Sequence, residues 1–272
     1  MKTKHYLVSL IILVATLLAI TPAQAQFRIG SDGLQFDLED NHKPVQASTI
    51  IMVKKSQKHN KATECRIGLG NISTIPTFEI GWNVLATPNY NLYAGSDVGD
   101  FFCINEWKST QVTVNLLQAS ASNLSRTLGI SVGLGIRANN YRFADNQSIE
   151  RTTGIVMPYE IGRSEKGRLP KKSKFNVASV HIPVEVFFGN PHKFAFSVGG
   201  YCDMVMNSHT KIKYHGGQKD KVHNFPTNFI QAGAVARLTF HGVSLFASYQ
   251  PTSIFKSSRG PELQQWTIGL AL

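Results

Sequence analysis

From Thr77 onward the chain alternates between apolar and polar residues with a period of two, the mark of strands with one face in apolar surroundings. The first run, Thr77 to Leu85, puts Phe78, Ile80, Trp82 and Val84 on one face. A second, from Ser109 to about Ala121, aligns Val112, Val114 and Leu116. In the third, Leu128, Ile130, Val132, Leu134 and Ile136 alternate with Gly129, Ser131, Gly133, Gly135 and Arg137. The fourth, Lys174 to Phe188, aligns Val180, Ile182, Val184, Val186 and Phe188. The fifth starts at Lys193 with Phe194, Phe196 and Val198, and the sixth aligns Ile230, Ala232, Ala234, Ala236, Leu238 and Phe240. Val243, Leu245, Ala247 and Tyr249 mark the seventh; Trp266, Ile268, Leu270 and Leu272 mark the eighth, Leu263 to Leu272. Most of these runs reach the ~9–11 residues that a tilted strand needs to span a bilayer. Soluble strands more often stop at ~5–6.

The connections alternate in length. Residues 86–108, 144–173 and 211–224 make long loops, and 257–262 a medium one. Residues 122–126, Gly189-Asn190-Pro191-His192 and His241-Gly242 make short turns. In the last of these, glycine supplies a positive φ and histidine tolerates one better than most residues. Short turns on one rim and long loops on the other are the outer-membrane pattern. The expected fold is all-β: an eight-stranded antiparallel up-and-down transmembrane β-barrel, residues 65–272, behind a flexible N-terminal leader.

The N-terminus adds an address. Lys2, Lys4 and His5 precede an apolar run from Leu7 to Ile20, and Ala23-Gln24-Ala25 offers small residues for cleavage before Gln26. This is the three-part grammar of a secretory signal peptide, residues 1–25; the apolar run is too short for a membrane helix, which needs ~20 residues. Residues 26–64 lack sustained periodicity and read as a flexible periplasmic leader, acidic at Asp32, Asp37, Glu39 and Asp40, then basic from Lys43 to Lys61. No later stretch is apolar enough for a membrane helix, so a membrane-resident chain must use a closed barrel. The expected location is the bacterial outer membrane. Cys65, Cys103 and Cys202 are odd in number and widely spaced, fitting neither a disulfide scaffold nor a zinc site.

Charge decides which face is outside. The face opposite the apolar one carries Glu79, Arg137, His181, Glu185, Asp203 and Arg237, while lysine keeps to strand ends and loops. A soluble barrel would show lysine-rich exterior faces and an apolar interior. A balanced set of arginines and carboxylates instead suits a packed, ion-paired lumen, and eight strands leave an interior that side chains just fill. The apolar face is therefore expected to point outward, toward lipid. Phe188, Phe194 and Phe240 near the short turns, and Tyr141, Phe143 and Phe255 near the long loops, are expected to form two interfacial girdles. Pro183 cannot donate to a ladder and should mark a bulge or local defect facing the lumen.

Several pieces together resemble the outer-membrane β-barrel family often labelled PorT-like, abundant in Bacteroidetes-type bacteria. They are Gly133-Leu134-Gly135-Ile136 with Asn139-Asn140-Tyr141-Arg142-Phe143; Ser173-Lys174-Phe175 leading to Ile182-Pro183-Val184; Leu245-Phe246-Ala247-Ser248-Tyr249; and Ile254-Phe255-Lys256 with Gly260-Pro261-Glu262-Leu263 and Thr267-Ile268-Gly269-Leu270. The similarity runs from about Phe78 to Leu272. It implies a small outer-membrane barrel without cofactor or shared catalytic motif, one type of relative supporting protein secretion.

Chemistry is sparse. There is no phosphate-binding glycine loop, HExxH or paired-cysteine metal motif. His209, His215 and His223 cluster around one basic loop, and imidazoles bind transition metals, but solvation is the simpler reading. Asp203, Ser208 and His209 can be nominated as an acyl-transfer set, and Glu185 with Asp203 as a carboxylate pair; lumen ion pairing accounts for the acids more simply. With 28 Lys+Arg against 17 Asp+Glu, the chain has a formal net charge of +11. That first suggests nucleic acid, but an exported barrel meets outer-membrane lipid and lipopolysaccharide instead. The expected function is a structural or accessory envelope role, assisting secretion or another envelope protein, without catalysis. The alternative is a ligand-binding barrel, either a lipocalin-like periplasmic carrier or a surface receptor.

Overall fold

The computed structural model describes residues 75–272 apart from 97, 124–126, 145 and 191–192, together with the backbone of three strands nearer the N-terminus. Residues 1–24 of the expected signal peptide, most of the expected leader and parts of two short turns lie outside the described residues. The strands are β1 (Ala25–Gly30), β2 (Gly33–Leu38), β3 (Thr63–Leu69), β4 (Phe78–Asn89), β5 (Thr110–Asn123), β6 (Leu128–Arg142) and β7 (Gln147–Thr152). They continue with β8 (Ile155–Glu160), β9 (Pro170–Asn190), β10 (Phe194–Tyr214), β11 (Lys219–His223), β12 (Ile230–Phe240), β13 (Val243–Gln250) and β14 (Glu262–Ala271). Strands β1 and β2 pair with each other, as do β7 and β8.

Eight strands close a ring in chain order, β4-β5-β6-β9-β10-β12-β13-β14 and back to β4, each antiparallel to its neighbours. This is an antiparallel up-and-down barrel, and it corresponds strand for strand to the eight alternating runs of the sequence. The seam closes between Phe78 and Leu272, which exchange backbone hydrogen bonds of 2.9 and 2.8 Å. Short connections gather at the rim that holds this seam; the long ones, with two 3₁₀ turns (Asn91–Tyr93 and Glu106–Lys108) and the β7–β8 ribbon, gather at the other. In the two-residue turn, His241 and Gly242 both take positive φ, 48° and 86°.

Because side chains alternate across a strand, one slipped residue would exchange the two faces. Two bulges preserve the outward apolar set where the sequence breaks phase. On β5 the register shifts between Asn115 and Leu117, so the inward set passes from Gln111, Thr113 and Asn115 to Gln118 and Ser122. On β10 it shifts between Val205 and Asn207, passing from Asp203 to Ser208 and Thr210. Outside, Ile80, Trp82, Ile130, Val132, Val184, Val186, Phe196, Leu238, Leu245, Ile268 and Leu270 form a continuous apolar belt around the ring.

Pro183 faces the lumen, as expected, but there is no bulge. Pairing on either side keeps one register (Val132↔Val184, Gly135↔His181), and the ladder lapses only across Gly133 and Leu134, opposite the missing N–H. The seam between β4 and β5 is shared: β4 covers β5 from Thr110 to Val114, whereas β3 covers Leu117 to Asn123. Between the two, Ile75 is fully buried. Strands β9 and β10, 21 residues each, run on past the ring at the long-loop rim and are joined there by β11.

Candidate functional site

The inward face of β6 reads the lumen in layers: Gly133, then Arg137, Asn139, Tyr141 and finally Phe143 at the long-loop rim. Each level carries a different chemistry.

The middle level brings together all six charged residues singled out in the sequence. Glu79, Arg137, His181, Glu185, Asp203 and Arg237 come from β4, β6, β9, β10 and β12, and each is at most 1% exposed. Arg237 bridges two carboxylates, Nη2 to Glu79 Oε1 and Nε to Glu185 Oε1, both at 2.8 Å. Ser197 donates to the other Glu185 oxygen at 2.7 Å. Arg137 Nη1 donates to Asp203 Oδ2 at 3.0 Å and its Nε to Thr113 Oγ1 at 3.0 Å. Asn115 donates to Glu79 Oε1 at 3.1 Å and to the Pro76 carbonyl at 2.7 Å.

His181 is directly paired with Asp203 in the β9–β10 register, so their side chains share a face. Its Nδ1 lies 2.5 Å from Asp203 Oδ1, and its Nε2 lies 2.9 Å from Arg137 Nη2. Guanidinium nitrogens can only donate. Nε2 must therefore accept, and the ring proton sits on Nδ1, donated to Asp203. The arrangement assigns a neutral imidazole between a cation and an anion. Aromatic faces complete the cage: Arg137 lies 4.4 Å from the Tyr201 ring centroid and Arg237 5.2 Å from that of Phe246.

Above this level, amides link strands: Asn83 donates to Asn139 at 3.2 Å, Thr267 donates to Asn83 at 2.9 Å, and Tyr141 donates to Gln265. Above these lies an aromatic cap. Phe102 from the β4–β5 loop sits edge-on to Tyr141, Phe143, Phe175 and Phe255, with centroids 5.1 to 6.1 Å apart. Tyr93 donates to the Val156 carbonyl at 2.5 Å, fastening the β4–β5 loop to β8. Burial pushes the Tyr90 and Tyr93 phenols up to about 12.

This corrects the second girdle. Tyr141, Phe143 and Phe255 are buried in the cap, since Tyr141 and Phe143 share the inward phase of Arg137. Phe188, Phe194 and Phe240 do face outward at the short-turn rim. The aromatics facing outward toward the other rim are Trp82, Trp266 and Phe229, with Tyr249 stacked on Trp266 at 4.5 Å.

The other nominations separate. Asp203 and Ser208 point inward, but Ser208 donates to the Phe225 carbonyl at 3.3 Å, and His209 takes the opposite face of β10. Glu185 and Asp203 serve different arginines. His209 stacks on His223 at 5.2 Å, and no group of three or more metal-binding side chains occurs among the described residues. Cys103 and Cys202 are free. A cleft of about 610 Å³ opens among the long loops between Arg142, Glu160, Lys171 and Lys172. No serine, cysteine or histidine lines it among the described residues. The charges legible in the sequence thus act on one another, with their hydrogen-bonding capacity turned inward. No protein-family model and no curated protein matches the chain.

Proposed function

We propose that this chain is an outer-membrane barrel with a plugged lumen, serving as a structural or accessory anchor in the envelope rather than as a pore or a catalyst. The observation that carries the reading is its polarity: a closed barrel with its charges paired inside and a continuous belt of large apolar side chains outside. Contiguous apolar surface of this extent marks an interaction with lipid or protein, and a belt that runs around the whole ring suits lipid. Short turns and both ends of the barrel domain share one rim, as suits a chain that reaches the membrane from the periplasm. The stacked ionic, amide and aromatic levels leave side chains where a conducting path would run. The capped long-loop rim would then offer a rigid outer surface to another envelope protein, including one of a secretion machine.

Membrane fractionation with gel analysis tests the reading. The mature chain should sediment with outer membranes, migrate faster unheated than boiled, and give no large steady current in planar bilayers. Recovery in the soluble periplasmic fraction would overturn it in favour of a lipocalin-like carrier.

A further inference from the structure

Where β9, β10 and β11 rise past the ring, the register lines up cations. Arg142 on β6 is opposite Lys174 on β9, Lys174 opposite Lys211 on β10, and Lys211 opposite Lys221 on β11. One row higher, Lys172 is opposite Lys213, and Lys213 opposite Lys219. Directly opposed residues point to the same face, so seven cations stand on the outer face in two rows, about 5 Å apart across strands and about 7 Å along them. Among the described residues every ion pair lies in the lumen, and none of the seven has one. Glu160 lines the same neighbouring cleft as Lys172, and no ion pair joins the two. Partial desolvation, and then the charges of Lys174, Arg142, Lys213 and Lys171, hold the Lys172 ammonium below its ordinary range. Like charges directly opposed weaken a sheet; a ladder of them is a surface built for an anion.

Its height identifies that anion. Below the cations lies a row of Asn140, Asn176, His209 and His223, and below that Ala138 and Ala178 meet the apolar belt. With a belt about 25 Å tall and strands tilted by about 40°, a band starting at Phe188 ends near Ala178. Lys174 then stands about 10 Å higher, at the level of headgroups. We infer that this ladder of cations is a docking surface for phosphorylated headgroups of the outer leaflet, a bis-phosphorylated glycolipid being the class whose paired anions fit two rows of cations. The inference rests on the outer-membrane reading above.

The test folds the full-length mature chain into vesicles of zwitterionic phospholipid, with and without bis-phosphorylated lipid A. Lipid retained after mild detergent extraction is then counted by native mass spectrometry. Wild type should retain lipid A in preference to its dephosphorylated form. A cation near an anionic lipid surface raises partitioning about fivefold, so a variant with Lys172→Gln, Lys174→Gln, Lys211→Gln and Lys213→Gln should lose retention by nearly three orders of magnitude, about 600-fold. The matching four Lys→Arg changes should keep it. Equal retention of both glycolipids, or an unaffected Gln variant, would overturn the inference. Complete release by millimolar inorganic phosphate would do so too, because it would mark a site for free anions, as would binding of an acidic polypeptide without lipid retention. Heat-modifiable migration is read in parallel: a folded, inserted barrel that ignores lipid A sinks this inference alone, whereas failure to insert sinks the outer-membrane reading and this with it.

Discussion

Gly133 and Pro183 face each other across the β6–β9 seam so closely that a Cβ on the glycine would lie 3.0 Å from the proline Cγ and 3.5 Å from Ile75 Cδ1. Proline removes one ladder hydrogen bond, and glycine makes room for the ring that replaces it. A larger side chain at 133 would press on both neighbours. Gly133→Leu should cost about 1–3 kcal/mol, the usual range for overpacking, and Gly133→Ala less. Urea unfolding of the folded barrel checks the order; an unaffected Leu variant would show that Ile75 and Pro183 are not held against this strand.

Arg237 serves both Glu79 and Glu185, whereas Arg137, the next cation, reaches only Glu79, at 3.9 Å. Arg237→Ala leaves Glu185 buried without an ion-pair partner and Glu79 with only its longer contact to Arg137, and should destabilise by about 3–5 kcal/mol. Neutralising the site as a whole, with Arg237→Met, Glu79→Gln and Glu185→Gln, should restore much of that loss. Reversible unfolding in lipid vesicles measures both, and a near-neutral Arg237→Ala would remove the case for an ion-paired lumen.

Placing a charge on the belt probes the opposite face. Leu134→Arg and Ile268→Arg lie near mid-height of the outer surface and should each cost about 2–4 kcal/mol in a bilayer. Wild type and variants are compared by unfolding from vesicles. If both variants were harmless there, the belt would not be facing lipid.

The cap can be separated from the belt by truncating one aromatic in each. Phe102→Ala empties the centre of a buried cluster and should cost about 3–5 kcal/mol. Phe240→Ala, outward at the short-turn rim, should change stability in detergent far less. Equal losses would contradict the layered interior.

His209 is held below its ordinary value of 6.5 by partial burial first, then by His223, Lys221 and Lys211. The unfolded chain therefore takes up this proton more readily than the folded extension. The stability that neutral His209 contributes is present above 6.5 and is lost as the pH falls through its lower folded value. Amide exchange of β11, corrected for intrinsic rates, should quicken between about pH 7.5 and about pH 5.5, and His209→Gln should flatten the change. Unchanged protection across that range would mean the extension does not feel the imidazole.

The strands and their facing were legible because period-two alternation and charge placement obey the same geometry. Arg137 and Arg237 had to share a face with Glu79, Glu185 and Asp203 once the apolar residues took the other. The same phase also placed Tyr141 and Phe143 inward, and it was proximity to the loops that suggested a girdle instead. The bulges near Leu116 and Met206 change phase within a run, which composition does not mark. The pairing of β3 with β5 carries no local signal at all, since it joins residues across a long excursion. The cation ladder was visible only as a basic loop; its rows exist because β9, β10 and β11 share a register.

The seam at Phe78 and Leu272 has a consequence for timing. The strands that close the ring are its first and last in chain order, so every intermediate that lacks β14 is an open sheet with two unpaired edges. Such edges invite pairing with other chains, and contacts between residues this far apart form late. The chain is therefore most open to wrong pairing before the segment around Leu272 has arrived, and anything that covers the edges of β4 and β13 until then protects the closure.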